Sequence, residues 1–206
     1  MKAWDQFFPA LMVDLPGCPQ PVVTHALKRA AQDFFRQTLL WRIWLEPMRT
    51  ANNINEYELE VEPHTELVRI ERATLDGRPI VISTAASMPT DWKTNPLGIE
   101  DCIFCADGKS FTLIPYKDGG LVLLIEASLR PSDSAVGIED CLFDLYSETI
   151  AHGAKARLLR QPAKPYSDLG ASIDAQMLFD HAIGLINIQQ FRVFSSSLPL
   201  WRITIF

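Results

Sequence analysis

The spacing of apolar residues changes twice along this chain, and this change restricts its possible folds more than any other feature. From Gln20 the apolar side chains recur every three or four residues, which is the spacing of an amphipathic helix. From Tyr57 they alternate with glutamates, which indicates a half-buried strand with an acidic outer face. After Glu139 the helical spacing returns. The order predicted is therefore helix, sheet, helix, helix.

Three long helices are predicted. The first runs from Gln20 to about Trp41–Trp44 and ends before Pro47, and the second runs from Glu139 to Arg160. Ser167 or Asp168 can cap a third helix that reaches about Gln190. The apolar face expected for this third helix consists of Ile173, Met177, Leu178, Ala182, Leu185 and Ile186.

The middle of the chain predicts an antiparallel sheet of about six strands. Asp76-Gly77 is a dipeptide that two-residue hairpin turns prefer, and it separates Leu67–Leu75 from a return strand at Ile80–Ser83. Residues 84–100, rich in Pro, Thr, Ser and Asn, are expected to form a long ordered connection. The other strands are predicted near Tyr57–Val61, Cys102–Ala106, Lys109–Pro115 and Leu121–Leu129.

These elements predict an α+β fold. Because each helix has one apolar face to bury, the helices are expected to pack together and to leave the sheet as an insert. We expect a helical core of about three long helices, formed by residues 1–46 and 130–190. Residues 47–129 would form the inserted antiparallel sheet or sandwich, and residues 191–206 an extended C-terminal docking arm.

Charge and cysteine content exclude several classes of protein. With 19 basic and 25 acidic residues the net charge is -6, which opposes binding nucleic acid through its phosphates. No apolar run approaches the roughly 18 residues of a membrane span, and the N-terminus does not resemble a secretion signal. Cys18, Cys102, Cys105 and Cys141 are expected to be reduced thiols in a cytosolic setting.

No local motif predicts catalysis. Cys102 and Cys105 have the spacing of a zinc or redox pair, but no second pair accompanies them, and on a strand they would point to opposite faces. The histidines are His25, His64, His152 and His181, and none lies in a recognisable nucleophile motif. No Gly-rich loop precedes a helix. We expect no catalytic residue, no metal and no cofactor.

Both ends of the chain carry apolar side chains that are difficult to hide in a monomer. The N-terminal set is Trp4, Phe7, Phe8, Leu11 and Met12, and its burial in the chain's own core is as plausible as contact with a neighbour. For the C-terminal arm, docking on a partner is favoured, because an alternating strand can add to the edge of a partner's sheet. The predicted contact residues are Arg42, Arg49, Leu198, Leu200, Trp201, Ile203, Ile205 and Phe206.

Several short motifs, in order over roughly residues 5 to 185, resemble the head-to-tail adaptor proteins of short-tailed and related tailed bacteriophages. The N-terminal half carries Leu15-Pro16-Gly17-Cys18-Pro19, Phe34-Phe35-Arg36-Gln37-Thr38-Leu39-Leu40-Trp41-Arg42 and Leu75-Asp76-Gly77-Arg78-Pro79. The C-terminal half carries Leu129-Arg130-Pro131, Ala151-His152-Gly153-Ala154-Lys155-Ala156-Arg157-Leu158-Leu159 and Pro162-Ala163-Lys164-Pro165-Tyr166-Ser167-Asp168. The order and spacing of these motifs carry the resemblance.

The resemblance implies a virion protein without a catalytic site, assembled in the host cytoplasm as a ring of about twelve copies. This ring would bind the portal protein on one side and a tail nozzle or the next neck protein on the other. Double-stranded DNA would pass through its lumen without specific binding, and no membrane is involved. Residues 191–206 lie beyond the region of resemblance.

Two alternatives of other classes stay open at this point. One is a monomeric α+β enzyme, which would need a pocket holding convergent titratable side chains. The other is a carbohydrate-binding module built on the sheet, with Trp92, Phe111 and Tyr116 as its candidate aromatic residues.

Overall fold

A computed structural model describes residues 1–83, 101–105, 107–114 and 119–195, the last five of these as backbone only. The chain divides into two compact units. The first unit comprises Met1–Thr38 and Ile138–Phe206, and the second comprises Leu39–Gly137. The predicted connection at residues 84–100 lies outside the described residues.

In the residues that the structure describes, the first unit contains four α-helices. They are α1 (Phe8–Leu11), α2 (Gln20–Thr38), α3 (Asp140–Leu159) and α4 (Leu169–Ser195), and a 3-10 helix at Trp4–Phe7 precedes α1. The side chain of Asp168 accepts a hydrogen bond from the Ala171 amide at 3.0 Å, which confirms the predicted cap of the last helix.

Aromatic rings fill the core between α2, α3 and α4. The Phe34 ring on α2 lies 5.2 Å from the Tyr146 ring on α3 and 6.4 Å from the Phe179 ring on α4. Gly153 on α3 lets Phe179 approach so closely that an added Cβ would lie 2.8 Å from the ring. On the same face of α4, the Ser172 hydroxyl donates to the Ala156 carbonyl at 2.7 Å. The small residues of α3 therefore set the distance between α3 and α4.

The N-terminal segment packs on its own unit. Trp4, Phe7, Leu11 and Leu15 are buried, and the Phe7 ring meets the Phe143 ring of α3 edge-on at 4.7 Å. Pro9 is compatible with α1, because it falls in the first turn of this helix, where a missing N–H costs nothing. Of the two options left open for this segment, burial in the chain's own core is the one observed.

The strands lie mainly in the second unit. They are β1 (Lys2–Ala3), β2 (Arg42–Trp44), β3 (Met48–Arg49), β4 (Glu56–Glu58), β5 (Thr65–Leu75), β6 (Arg78–Ser83), β7 (Cys102–Cys105), β8 (Ser110–Ile114), β9 (Val122–Pro131) and β10 (Gly137–Ile138). One sheet of eight strands has the order β2-β9-β5-β6-β7-β8-β4, with β3 also paired to β9. A two-stranded sheet pairs β1 with β10.

The hairpin predicted at Asp76-Gly77 is confirmed. Leu75 pairs with Arg78 across the turn, and both turn residues have positive φ angles of 49° and 77°, as a type I′ turn requires. The strands beyond it depart from the predicted meander. β6 and β7 are parallel, so the sheet is mixed, whereas a wholly antiparallel one was expected.

The predicted fold class is wrong. We expected a core of about three long helices with an inserted antiparallel sheet or sandwich of about six strands. The described chain is instead dominated by a curled sheet of eight strands, and it also contains four helices and a two-stranded sheet. Strand β9 explains the difference, since it is largely buried and has β2, β3 and β5 as hydrogen-bonding partners. Strands of two or three residues have no apolar period that a sequence could reveal.

The first long helix also ends earlier than predicted. Its last residue is Thr38, and Leu39 then takes a φ angle of 52°, a left-handed conformation that terminates a helix. Residues predicted to finish the helix form β2 instead, where Arg42, Ile43 and Trp44 pair with Ser128, Ala127 and Glu126 of β9. Pairing with a buried strand thus overrides the local helical pattern.

Candidate interaction surfaces

The predicted contact residues fall into two groups. Arg42 lies on β2, where its Nε donates to the Leu39 carbonyl at 2.9 Å, and Arg49 lies on β3, where its guanidinium donates to the Gly120 carbonyl at 3.2 Å. The structure does not bring these two arginines into one site. The other predicted residues, Leu198, Leu200, Trp201, Ile203, Ile205 and Phe206, lie outside the described residues.

Arg42 belongs to a polar face of the sheet formed by β2, β9 and β5. Alternate residues of β9 separate the two faces, with Ile125, Ala127 and Leu129 buried in the core and Glu126 and Ser128 on the other side. Arg72 donates to Glu126 at 2.5 Å, and its guanidinium lies 5.8 Å from the centre of the Trp44 ring.

The same polar face contains two more carboxylates with partners. Glu71 accepts from Arg69 at 2.6 Å and from the Ser128 hydroxyl at 2.6 Å. Burial raises the pKa of Glu71, but hydrogen bonds from Arg69 and Ser128, with the charges of Arg69 and Arg42, outweigh it and hold the pKa below its ordinary value. Glu66 pairs with Arg130 at 3.0 Å. The side chains of Glu71 and Glu126 are each only 9% exposed and each is paired with an arginine, so this face is a structural network.

A groove of about 500 Å³ lies at the edge of this sheet. Ile43 to Met48 line one wall, and Glu58 and residues 60–63 line the other. Trp44 at the groove is 52% exposed, a large exposure for an indole. Four glutamates stand around it, Glu46, Glu58, Glu60 and Glu62, and all are exposed. The groove thus combines apolar walls with an acidic rim.

Helix α4 exposes an apolar face. Its buried residues are Ser172, Ala175, Phe179 and Ile183, not the set predicted from the sequence. Six large apolar residues of the helix are about half exposed or more: Leu169, Ile173, Met177, Leu178, Leu185 and Ile188. Asp174, Asp180 and His181 are exposed between these residues, but so many exposed large apolar side chains on one helix are typical of a contact surface. The exposed face of α4 is therefore a candidate contact surface.

Three of the motifs that carry the adaptor resemblance converge in the first unit. Lys155 of α3 pairs with Asp14 in the N-terminal loop at 2.5 Å. A hydrogen bond with the Cys18 thiol raises the pKa of Tyr166 above its ordinary value. The Asp168 amide donates to the Leu159 carbonyl at 3.0 Å. Together these segments line a shallow groove of about 520 Å³ that reaches Leu178 on α4.

The groove beside α4 holds several titratable groups, including Asp14, His152, Lys155 and Asp174. Lys155 is already paired, and His152 lies 3.9 Å from Glu148 on its own helix. Across the part of the chain that the structure describes, no group of three or more His, Cys, Asp or Glu residues is placed to hold a metal ion.

Phe111, one of the three aromatic residues predicted for carbohydrate binding, is buried. Phe111 is 1% exposed and stacks on Tyr57 at 5.5 Å, so it offers no platform for a sugar ring. Trp92 and Tyr116 lie outside the described residues. Within the described ranges, no helix has both the length and the apolar character needed to cross a bilayer.

Sequence reasoning missed both the exposed face of α4 and the groove at Trp44. The signal for the first was present, since α4 carries apolar residues on more than one face, and one core cannot bury them all. The groove gave no local signal, because its two walls come from strands that do not pair with each other.

Comparisons with known proteins add no assignment. No protein-family model matches this sequence, and no curated protein matches it either.

Proposed function

We propose that this chain is a structural head-to-tail adaptor of a tailed bacteriophage. Copies of the chain form a ring beneath the portal, join it to the tail and surround the channel through which DNA passes. The chain acts in the neck of the virion, after assembly in the host cytoplasm. It binds further copies of itself, the portal protein and the next component of the tail, and it carries out no chemical reaction.

The observation that carries this proposal is the exposed apolar face of α4. Met177 is 65% exposed and Leu178 is 53% exposed, in the middle of a 27-residue helix. Leaving such a row in water forfeits on the order of 1 kcal/mol or more per side chain. A neighbouring subunit in a ring would recover this free energy, which favours assembly over a solitary chain.

The packing of the motifs gives independent support. Three of the segments that resemble the adaptors contact each other. The contacts are made by Lys155, Tyr166 and Asp168, and the segments lie around Leu15–Pro19, Ala151–Leu159 and Pro162–Asp168. Motifs that are far apart in the sequence therefore lie together in the fold, as expected if they form one structural feature.

The net charge of -6 suits a channel for DNA. A basic lumen would bind phosphates and slow the passing duplex, whereas an acidic subunit repels them.

The test replaces two residues of the α4 face, as Met177→Asp/Leu185→Asp, in the full chain. Cosedimentation with portal rings from the phage that encodes the chain should weaken by roughly tenfold or more, because charges then enter an apolar contact. Val13→Asp, at a residue that is 81% exposed in the N-terminal loop, is the matched control and should bind like the wild type. Equal binding by the α4 variant, with its thermal midpoint unchanged, would refute the proposal.

A further inference from the structure

The curled sheet is open on one side. Its two edge strands are β2 and β4, and in the described chain neither has a strand on its outer side. The groove of about 500 Å³ is lined by β2 and β3 on one wall and by β4 and the residues after it on the other. Two unpaired edges therefore border one groove, which has the form of a slot for an extended segment.

Main-chain groups of both edge strands are directed away from the strands with which they pair. Leu45 donates its amide to Ile125 of β9 at 2.9 Å, and Leu59 donates to Lys109, just before β8, at 2.7 Å. Because these groups alternate in direction along a strand, those of Trp44 and Glu58 point away from β9 and β8. An inserted strand would find hydrogen-bonding partners on both of its sides.

The side chains of the slot define what it can accept. Ile43, Met48 and Val61 are half-buried and offer apolar contact, and Trp44 offers an exposed ring. The rim carries Glu46, Glu58, Glu60 and Glu62, for which the described structure contains no ion pair. The fitting occupant is an extended segment with apolar side chains and a positive charge.

We propose that this slot receives residues 198–206 of a second copy of the chain as an added strand. In extended form, Trp201, Ile203 and Ile205 share one face, and Arg202 lies on the opposite face with Thr204. The apolar face suits the walls of the slot, and Arg202, the one charged side chain of the segment, suits the glutamate rim. Such a segment spans about 30 Å, enough to follow both edges.

This inference rests on the proposed function, because it requires that copies associate. It goes further by naming the surface on which the C-terminal arm docks and the partner that supplies that surface. The pairing is head-to-tail, since the arm and the slot are different surfaces, and repeated contacts of this kind give a ring when the rotation between neighbours closes.

Hydrogen exchange on the full chain, assembled with portal rings, tests the pairing directly. The slot variant is Glu60→Arg/Glu62→Arg, which repels Arg202. The matched control is Asp144→Arg/Glu148→Arg, which makes the same change of charge at exposed sites on α3. Amides of residues 200–205 should exchange roughly tenfold faster or more in the slot variant than in the wild type or the control. Exchange in α4 reports whether each variant is folded.

A mixing experiment then separates a second copy from the chain's own arm. The arm variant Ile203→Asp keeps an intact slot, so its addition in excess should restore slow exchange to the arm of the slot variant. Fast exchange that persists after mixing, or exchange that is equal in all variants, overturns the proposal.

Sedimentation of the same samples distinguishes the two levels of failure. If the copies assemble on the portal while residues 200–205 exchange freely, the slot assignment fails and the adaptor function stands. If the wild-type chain binds neither itself nor the portal, both fail.

Discussion

At the residue scale, Gly153 sets how closely α3 and α4 pack. An alanine Cβ at this position would lie 2.8 Å from the Phe179 ring, which is 2% exposed and has little room to move. Gly153→Ala should therefore destabilise the fold, since overpacking costs about 1–3 kcal/mol and the gain in helix propensity recovers at most about 1 kcal/mol. Urea unfolding measures the difference.

Gly184→Ala is the control for the Gly153 prediction. Gly184 also lies within a helix, α4, but an added Cβ there meets no atom within 4 Å. The same substitution should stabilise the protein by up to about 1 kcal/mol. Equal changes in the free energy of unfolding at the two glycines would show that the close approach of Phe179 does not restrict the side chain at residue 153.

At the scale of the elements, the polar face across β2, β9 and β5 depends on the charge of Glu71. The pKa of Glu71 is held below its ordinary value, so the carboxylate stabilises the fold fully above about pH 4.3, the value of an unfolded glutamate. The stabilisation is lost as the pH falls through the lower pKa of the folded state. Arg69, Ser128 and the strand pairing around them should loosen in acid.

The variant Glu71→Gln tests this dependence. At neutral pH it should be less stable than the wild type by about 1 kcal/mol or more, because hydrogen bonds to an ionised acceptor become neutral ones. The difference should shrink as the pH is lowered through the pKa of the folded Glu71 carboxyl, where the wild-type side chain becomes protonated. Glu58→Gln, at an exposed residue of β4, controls for the loss of one charge. A loss of stability in Glu71→Gln that is the same at every pH would show that the charge of Glu71 does not stabilise the fold.

The elements also show how far sequence alone reaches. The Asp76-Gly77 turn and the Asp168 cap were predictable, because each depends on the conformational preferences of the residues themselves. Strand β2 was not predictable, since Arg42–Trp44 becomes a strand only through pairing with β9. The exposure of Met177 and Leu178 was misjudged because periodicity reports which residues are apolar, not which of two faces meets the core.

At the scale of the whole molecule, we propose that many copies of this chain cover each other's exposed apolar surface beneath a portal. The C-terminal arm and the slot at Trp44 would be the two different surfaces that a closed ring of identical subunits requires, and the face of α4 would add a further contact. In such a ring, the acidic net charge of each chain would oppose tight binding of DNA.

Negative-stain imaging of the full-length chain mixed with portal rings, together with the mass of the complex, is the most direct test. A second ring of about twelve chains should be stacked on one end of each portal. Portal rings that stay bare at saturating chain, with the chain sedimenting as a folded monomer, would contradict the proposed assembly.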